Sequence, residues 1–481
     1  MENELKKKTV SSLLWRFLER CGAQGVTFLV TIVLARLLAP EVYGLMALVT
    51  VFTAVLQVFV DSGMGNALIQ KKDADNLDFS SVFFFNLAMG IALYILLFFC
   101  APLVATFYKN PELTLVIRVL GITLLIAGVK NVQQAYVSKK LQFKRFFFAT
   151  LGGTIGAAVI GITLAYMGFG IWALVAQNLF NAMIDTVILW LTVRWRPKLL
   201  FSFNRLKGLL RYGGKLLVSS LLHTFYLNLR TLIIGKLYMP ADLAYYEKGQ
   251  SFPTLIVSNI NASIDSVLLP TMSGVQDSRE SVKAITRRAI VTSSYLMWPM
   301  MVGLAVVAKP LVVLLLTEKW LAAVPFLQIT SFALGFEPLQ TANLNAIKAM
   351  GRSDIYLKLE IVKKTISIAI LLLSMRFGVM AIAISGFAYS VIATMFNAAP
   401  NRKLLGYSYF EQVKDILLPF ALALLMGVAI YPIALIPMPT ILMLLTQVVV
   451  GAILYVGLSA ILKLEPFYYI FNIIRQFKRK G

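Results

Sequence analysis

Residues 80–107 read SSVFFFNLAMGIALYILLFFCAPLVATF, 28 consecutive residues without a charge. About 20 such residues in a helix cross the roughly 30 Å hydrocarbon core of a bilayer. The whole chain follows the same pattern. Of its 481 residues, 59% are apolar and 14% charged, against roughly 45–50% and about 25% in soluble domains. Mean hydropathy is +0.79. Too few charges remain to coat a soluble surface. Aromatic residues make up 12%, which excludes intrinsic disorder. The only cysteines, Cys21 and Cys100, exclude a secreted disulfide scaffold. Backbone polar groups cannot stay unpaired in lipid, so the spans are helices. The sequence therefore predicts an all-α polytopic membrane protein.

Outward from that stretch, apolar runs lie at 11–37, 43–65, 80–107, 113–137, 146–167, 171–193, 214–238, 250–272, 289–316, 322–348, 355–375, 379–399, 414–432 and 438–462. That makes about fourteen transmembrane helices. Prolines within them (Pro253, Pro299, Pro325, Pro338, Pro419) predict kinks. The formal net charge of +23 could suggest nucleic acid, but its distribution argues against it. Basic clusters such as Lys6–Lys8, Lys139–Arg145 and Arg279–Arg288 fall on alternate connections, while the others hold mostly single Lys or Arg residues or none. That is the positive-inside pattern. It predicts a multi-pass plasma-membrane protein with both termini cytoplasmic, and a long basic cytoplasmic loop over 194–215. No cleavable signal peptide is expected, because Arg16, Glu19 and Arg20 interrupt the first apolar run.

The two halves echo each other. Val33–Pro40 (VLARLLAP) resembles Ile233–Pro240 (IIGKLYMP), 200 positions on. Ala101–Val104 resembles Lys309–Val312, and Gly168–Val175 resembles Arg376–Ala383, both at an offset of 208. Six helices separate the copies, so they share one orientation. That is a parallel repeat, as in two-lobed transporters with a substrate site between the lobes. The expected domains are a six-helix lobe over 1–198, a second over 199–403, and two further helices with a basic tail over 404–481.

Several segments carry a resemblance: WRFLERCGAQGVTFLVTIVLARLLAP (Trp15–Pro40), Glu41-Val42-Tyr43-Gly44, Phe59–Gly63, Leu141-Gln142-Phe143-Lys144 and Gly351-Arg352-Ser353-Asp354. In this order they resemble the Wzx-type polysaccharide repeat-unit flippases of the multidrug/oligosaccharidyl-lipid/polysaccharide exporter superfamily, most of all the branch of colanic acid and teichuronic acid exporters. The resemblance covers nearly the whole chain to about residue 415. It implies transport of an undecaprenyl-diphosphate-linked oligosaccharide from the inner to the outer leaflet, for cell-surface polysaccharide such as teichuronic acid. It also implies two six-helix lobes around a central cavity. The expected partners are that lipid-linked sugar, the bilayer, and the polymerase and glycosyltransferases of the same pathway.

Passing sugar and diphosphate through hydrocarbon requires a wet, cationic cavity, and ionisable residues within spans usually face one. Arg16, Glu19 and Arg20 share one helical face. Arg20 lies roughly 14 Å deep, at 1.5 Å per residue. The set either contacts the diphosphate or neutralises itself. Arg230 sits mid-span with no acid at helical spacing and suits an anion. Lys130, followed by Gln133 and Gln134, makes a stripe nearer the cytoplasmic end, where snorkelling is the plain account. Asn178, Asn181 and Asp185 share a face, as do Asn261 and Asp265, and Glu337 precedes Pro338. These suit sugar hydroxyls or interhelical hydrogen bonds. Glu360, Lys363 and Lys364 can pair with one another.

No GxxxxGK[ST] loop is present, no Cys/His cluster has metal spacing, and the single histidine, His223, admits no catalytic triad. No enzyme activity, metal or cofactor is expected, and coupling to a proton or sodium gradient stays open. A cation-coupled drug exporter of the same superfamily would favour deep acids, whereas the deep charges here are largely Arg and Lys. A membrane polymerase or glycosyltransferase would need a long soluble loop, and the sequence has none.

Overall fold

The computed structural model describes residue 15, residues 22–61 and residues 63–480. Helices follow one another throughout, and no strand occurs among the described residues. They are α1 (Gly22–Leu37), α2 (Pro40–Asp61), α3 (Met64–Gln70), α4 (Asn76–Phe107), α5 (Glu112–Leu120), α6 (Ile122–Lys139), α7 (Phe143–Tyr166), α8 (Ile171–Thr192), α9 (Phe203–Leu237) and α10 (Pro240–Ser273). Then come α11 (Arg279–Val306), α12 (Ala308–Leu316), a 3-10 turn (Glu318–Ala323), α13 (Val324–Leu334), α14 (Glu337–Ala349), α15 (Ser353–Ser374), α16 (Val379–Leu405), α17 (Tyr409–Ile430), α18 (Thr440–Ile461) and α19 (Glu465–Lys480). Among the described residues, twelve helical stretches are long and apolar enough to cross a membrane. α1, with 16 described residues, and α15, with five charges, are the remaining expected spans.

Two compact units divide at Ala244/Tyr245. In the first, Leu34, Val49, Ile117 and Leu124 form one core, and Met64, Val82, Leu189 and Trp195 another. In the second, Met272, Ile290, Leu339 and Tyr407 pack together, and so do Trp298, Ala423 and Tyr455. Large apolar side chains are also plentiful outside. Phe99, Leu103, Leu191 and Val428 are exposed, the surface a protein presents to lipid tails rather than water. That accounts for the composition.

The repeat reappears in the backbone. Left-handed residues are uncommon without glycine, yet they recur at matched corners. Lys109 (φ 56°) ends α4 and Thr317 (φ 80°) ends α12, 208 positions on. Leu141 (φ 54°) follows α6 and Gly351 (φ 71°) follows α14. Gly170 (φ 53°) opens α8 and Gly378 (φ 99°) opens α16.

The prolines divide into two groups. Pro253, Pro299 and Pro419 lie inside helices, as do Pro102, Pro270 and Pro400. Pro325 and Pro338 instead take the first turns of α13 and α14, where the missing N–H has no partner to lose.

The basic segment 194–215 differs from the expected loop. From Phe203 it is already α9, and residues 193–202 are strapped to the start of α4. Trp195 is buried, and its Nε1–H donates to Asn76 Oδ1 at 3.1 Å. The Lys198 and Ser202 N–H groups donate to the Ser80 and Ser81 hydroxyls at 3.0 and 2.9 Å. Beneath them the fully buried Asp78 carboxylate accepts from Lys71 Nζ at 2.6 Å and from Arg205 at 3.4 Å. Asp78 also forms a capping box with Asp75. The Asp78 N–H bonded to it, with Arg205 close by, holds the Asp75 carboxyl below the usual carboxylate range.

Candidate functional site

Polar residues on apolar helices must find partners or face water. In the first unit such residues meet from three helices, α2, α6 and α8. α6 turns two neighbours to different sides. Lys130 Nζ lies 3.2 Å from Asp185 Oδ2 on α8, and both side chains are largely buried. Asn131 Nδ2 donates to Asp61 at the end of α2. One turn of α6 thus joins carboxylates from two other helices. Asp185 Oδ1 is buried and accepts no hydrogen bond among the described residues. Asn181 lies one turn before Asp185, against α7. A Cβ on Gly153 would come within 2.9 Å of Asn181 Oδ1 and 3.1 Å of its carbonyl oxygen. Gly153, Ala157 and Gly161 repeat every four residues along α7, and such small-residue stripes let membrane helices approach closely.

α9 supplies Arg230. Its Nε and Nη2 are buried, and neither has a hydrogen-bond partner among the described residues. A guanidinium carries five donors and keeps its charge. Leaving two of its nitrogens buried and unbonded is unfavourable unless an anion meets them.

The other expected residues have different surroundings. Arg16, Glu19 and Arg20 fall outside the described residues. In the second unit, Asp265 Oδ1 accepts from Asn345 Nδ2 at 2.5 Å. Lys363 is buried, with its Nζ 2.6 Å from Glu360 Oε1, and Glu337 lies within electrostatic reach of it. Asn178 bonds back to its own helix at the Leu174 carbonyl. Gln133 leaves the expected stripe and donates to the Trp195 carbonyl at 3.2 Å, holding the strap.

Sequence reasoning missed two arrangements. One is Asn131, whose signal was its place beside Lys130. Adjacent polar residues in an apolar helix point to separate neighbours. The other is the fully buried triad Asn343, Asn401 and Gln412. Asn343 donates to Gln412 at 2.7 Å and accepts from Asn401 at 2.6 Å. It fastens α17, which lies outside the repeat, to α14 and α16.

The Lys130–Asp185 pair can be tested directly. Removing one partner of a buried pair strands a charge, whereas apolar replacement of both is often neutral. Lys130→Met and Asp185→Leu alone should each destabilise by roughly 3–5 kcal/mol. Thermal unfolding should show the double variant more stable than either single. Additive losses would show that the two groups do not interact.

The family profile described as polysaccharide biosynthesis protein matches residues 33–325. The chain belongs to this family. Over 428 residues, 87% of the chain and 86% of the relative, it is 23% identical to the lipopolysaccharide biosynthesis protein WzxC of Escherichia coli K12. It is 24% identical to the succinoglycan biosynthesis transport protein ExoT of Rhizobium meliloti, covering 74% and 72% of the two chains. It is 26% identical to the teichuronic acid biosynthesis protein TuaB of Bacillus subtilis, covering 63% of each. Among solved structures, the chain is similar to the lipid II flippase MurJ in an inward closed conformation. The TM-score is 0.75 at 13% identity, covering 94% and 98% of the chains. A multidrug resistance MATE transporter of the MOP superfamily in an inward-facing conformation follows at 0.60, with 16% identity and coverage of 79% and 94%. These likenesses establish the fold.

Proposed function

We infer that this protein is a flippase for polyprenyl-diphosphate-linked oligosaccharide repeat units. It moves them from the inner to the outer leaflet of the cell membrane for surface polysaccharide synthesis. The observation that carries the reading is Arg230. A polysaccharide-family chain holds, two turns before the end of α9, a guanidinium with two buried nitrogens that have no hydrogen-bond partner among the described residues, and a diphosphate supplies the acceptors. The relatives' names support the substrate class: lipopolysaccharide, succinoglycan transport and teichuronic acid synthesis. The Lys130, Asn131, Asn181 and Asp185 cluster adds donors and acceptors that suit sugar hydroxyls. In the second unit an apolar groove of about 590 Å³ runs between α11, α17 and α18, past Pro299, Met426 and Val448. It suits a prenyl tail that stays in the bilayer.

The lobes of this reading are residues 1–198 and 199–403, with 404–481 lining the tail groove. Glycosyltransferases supply the lipid-linked unit on one side and a polymerase consumes it on the other. In proteoliposomes loaded with polyprenyl-diphosphate oligosaccharide, the protein should expose the sugar to an added glycosidase. Exposure no faster than in protein-free vesicles would sink the flippase reading.

Sidedness follows from the Lys/Arg bias. The basic ends, with both termini, face the cytoplasm. In a Cys-free background, Gly168→Cys should react with an impermeant thiol reagent from outside, and Lys207→Cys should be protected. The reverse pattern would remove this topology.

A further inference from the structure

We propose that the second unit binds an anionic phospholipid in a groove between α10, α11 and the terminal helix α19. The cavity there is about 730 Å³, within the roughly 300–1,000 Å³ of ligand pockets. Its walls are mostly apolar, with Ile260 and Val267 from α10 facing Ile285 and Leu296 from α11. Arg288 and Tyr469 stand in the lining from α11 and α19.

Two adjacent arginines make the charge of this site specific. Arg287 is engaged, with Nε and Nη2 bonded to Asp415 at 3.0 and 3.1 Å and Nη1 reaching Glu465 at 3.4 Å. Arg288 has no ion pair among the described residues. Its guanidinium lies 5.2 Å over the Tyr469 ring, a contact that orients the cation without neutralising it.

α19 marks the depth of Arg288. Its sequence, EPFYYIFNIIRQFKRK, is aromatic in the first half and basic at the end. Phe467 and Ile470 pack on the Trp298 and Tyr455 cluster, while Tyr468, Tyr469 and Phe471 are exposed. An amphipathic helix with basic residues and exposed aromatics lies in the headgroup layer. The Arg288 guanidinium against Tyr469 therefore stands at headgroup level, and the groove leads from it along apolar helix faces. A planar cation with no ion pair among the described residues, above an apolar channel, is complementary to a phosphodiester carrying an acyl chain. The phosphate takes a bidentate contact with Arg288, and the chain lies between α10 and α11. One guanidinium matches the single charge of a phosphodiester, so the occupant is a membrane phospholipid and not the transported diphosphate. The site is independent of the flippase reading.

Native mass spectrometry of the purified full chain tests it, with equimolar phosphatidylglycerol and phosphatidylcholine in competition. The wild-type protein should retain phosphatidylglycerol preferentially. Arg288→Gln should weaken that retention about 10–100-fold, the range for a lost hydrogen bond to a charged group. Arg288→Lys should be intermediate. Leu296→Trp, which fills the channel and leaves the cation, should lower retention of both lipids. Both side chains are exposed, so the variants should fold, and unchanged thermal midpoints check this. Equal retention of the two lipids, or unaltered retention by Arg288→Gln, would overturn the proposal. Preference for a polyprenyl diphosphate over phosphatidylglycerol would overturn it too, by assigning the groove to substrate.

Discussion

Arg230→Ala is expected to abolish polymer export while protein abundance and membrane insertion stay at wild-type levels. The guanidinium has two buried nitrogens, Nε and Nη2, without hydrogen-bond partners among the described residues, so no hydrogen bond of those two atoms to a described residue is lost with it. What is lost is the charge-assisted contact to substrate. Truncating one partner of a desolvated charge pair costs about 2–5 kcal/mol, roughly 30-fold to several thousand-fold in an equilibrium constant. Arg230→Lys should restore only part of the activity, since an ammonium lacks the planar fork that meets two phosphate oxygens. Arg376→Ala, in the turn before Gly378, is the control and should export normally. Complementation of a flippase-deficient strain, scored by surface polymer and by lipid-linked units inside, reads all three. Full export by Arg230→Ala would end the cationic-site mechanism, though not the family assignment.

The second large effect is expected at Gly44. This residue of α2 faces the first residue of α10 so closely that a Cβ would collide with the Pro240 carbonyl, its carbon lying 2.5 Å away. Backbone cannot move aside as a side-chain end can. Nearby, Gly235 on α9 leaves room for Leu48 of α2, and Tyr108 donates to the Leu232 carbonyl at 3.4 Å. Overpacking typically costs 1–3 kcal/mol, and Gly44→Val belongs at or above the upper end. A thermal midpoint lower by about 3 °C or more should follow, with export falling in parallel. Gly457→Ala on α18, where a Cβ meets nothing within 4 Å, should be neutral or slightly stabilising. A wild-type midpoint for Gly44→Val would show that the α2 contact is looser than its geometry implies.

Class and repeat were legible because each rests on many residues at once. Long uncharged runs fix the solvent, and three echoes at nearly one offset fix the repeat. Details set by single contacts were not legible. Nothing in the run Arg194–Lys215 says that its first part is held down, because the carboxylate that grips it, Asp78, lies more than a hundred residues earlier. Its basic composition read as a solvated loop, although Lys198 and Arg205 mark the places where it is fastened. Lys130 suited snorkelling, the rule for a lone lysine near a span end. Asp185 overrides that rule from a helix 55 positions away. Pro325 and Pro338 read as kinks because spacing alone cannot separate a helix interior from a new first turn. Arg230 was legible for the opposite reason. It lacks an acidic neighbour at helical spacing, and that signal lies within one helix.

The strap over residues 193–202 also bears on how this chain can be taken apart or rebuilt. The longest polar stretch of a transporter is the habitual place to insert an epitope, a fluorescent protein or a protease site. Here that stretch is a fastener. Trp195 is sunk in the core, two serine hydroxyls hold its backbone, and Asp78 grips Arg205 just beyond. Any insertion would have to release those bonds before it could be accommodated. The exposed turn at Val275–Asp277, between α10 and α11, has no such attachments among the described residues beyond its own backbone bonds. It is the opening the molecule leaves for an engineer.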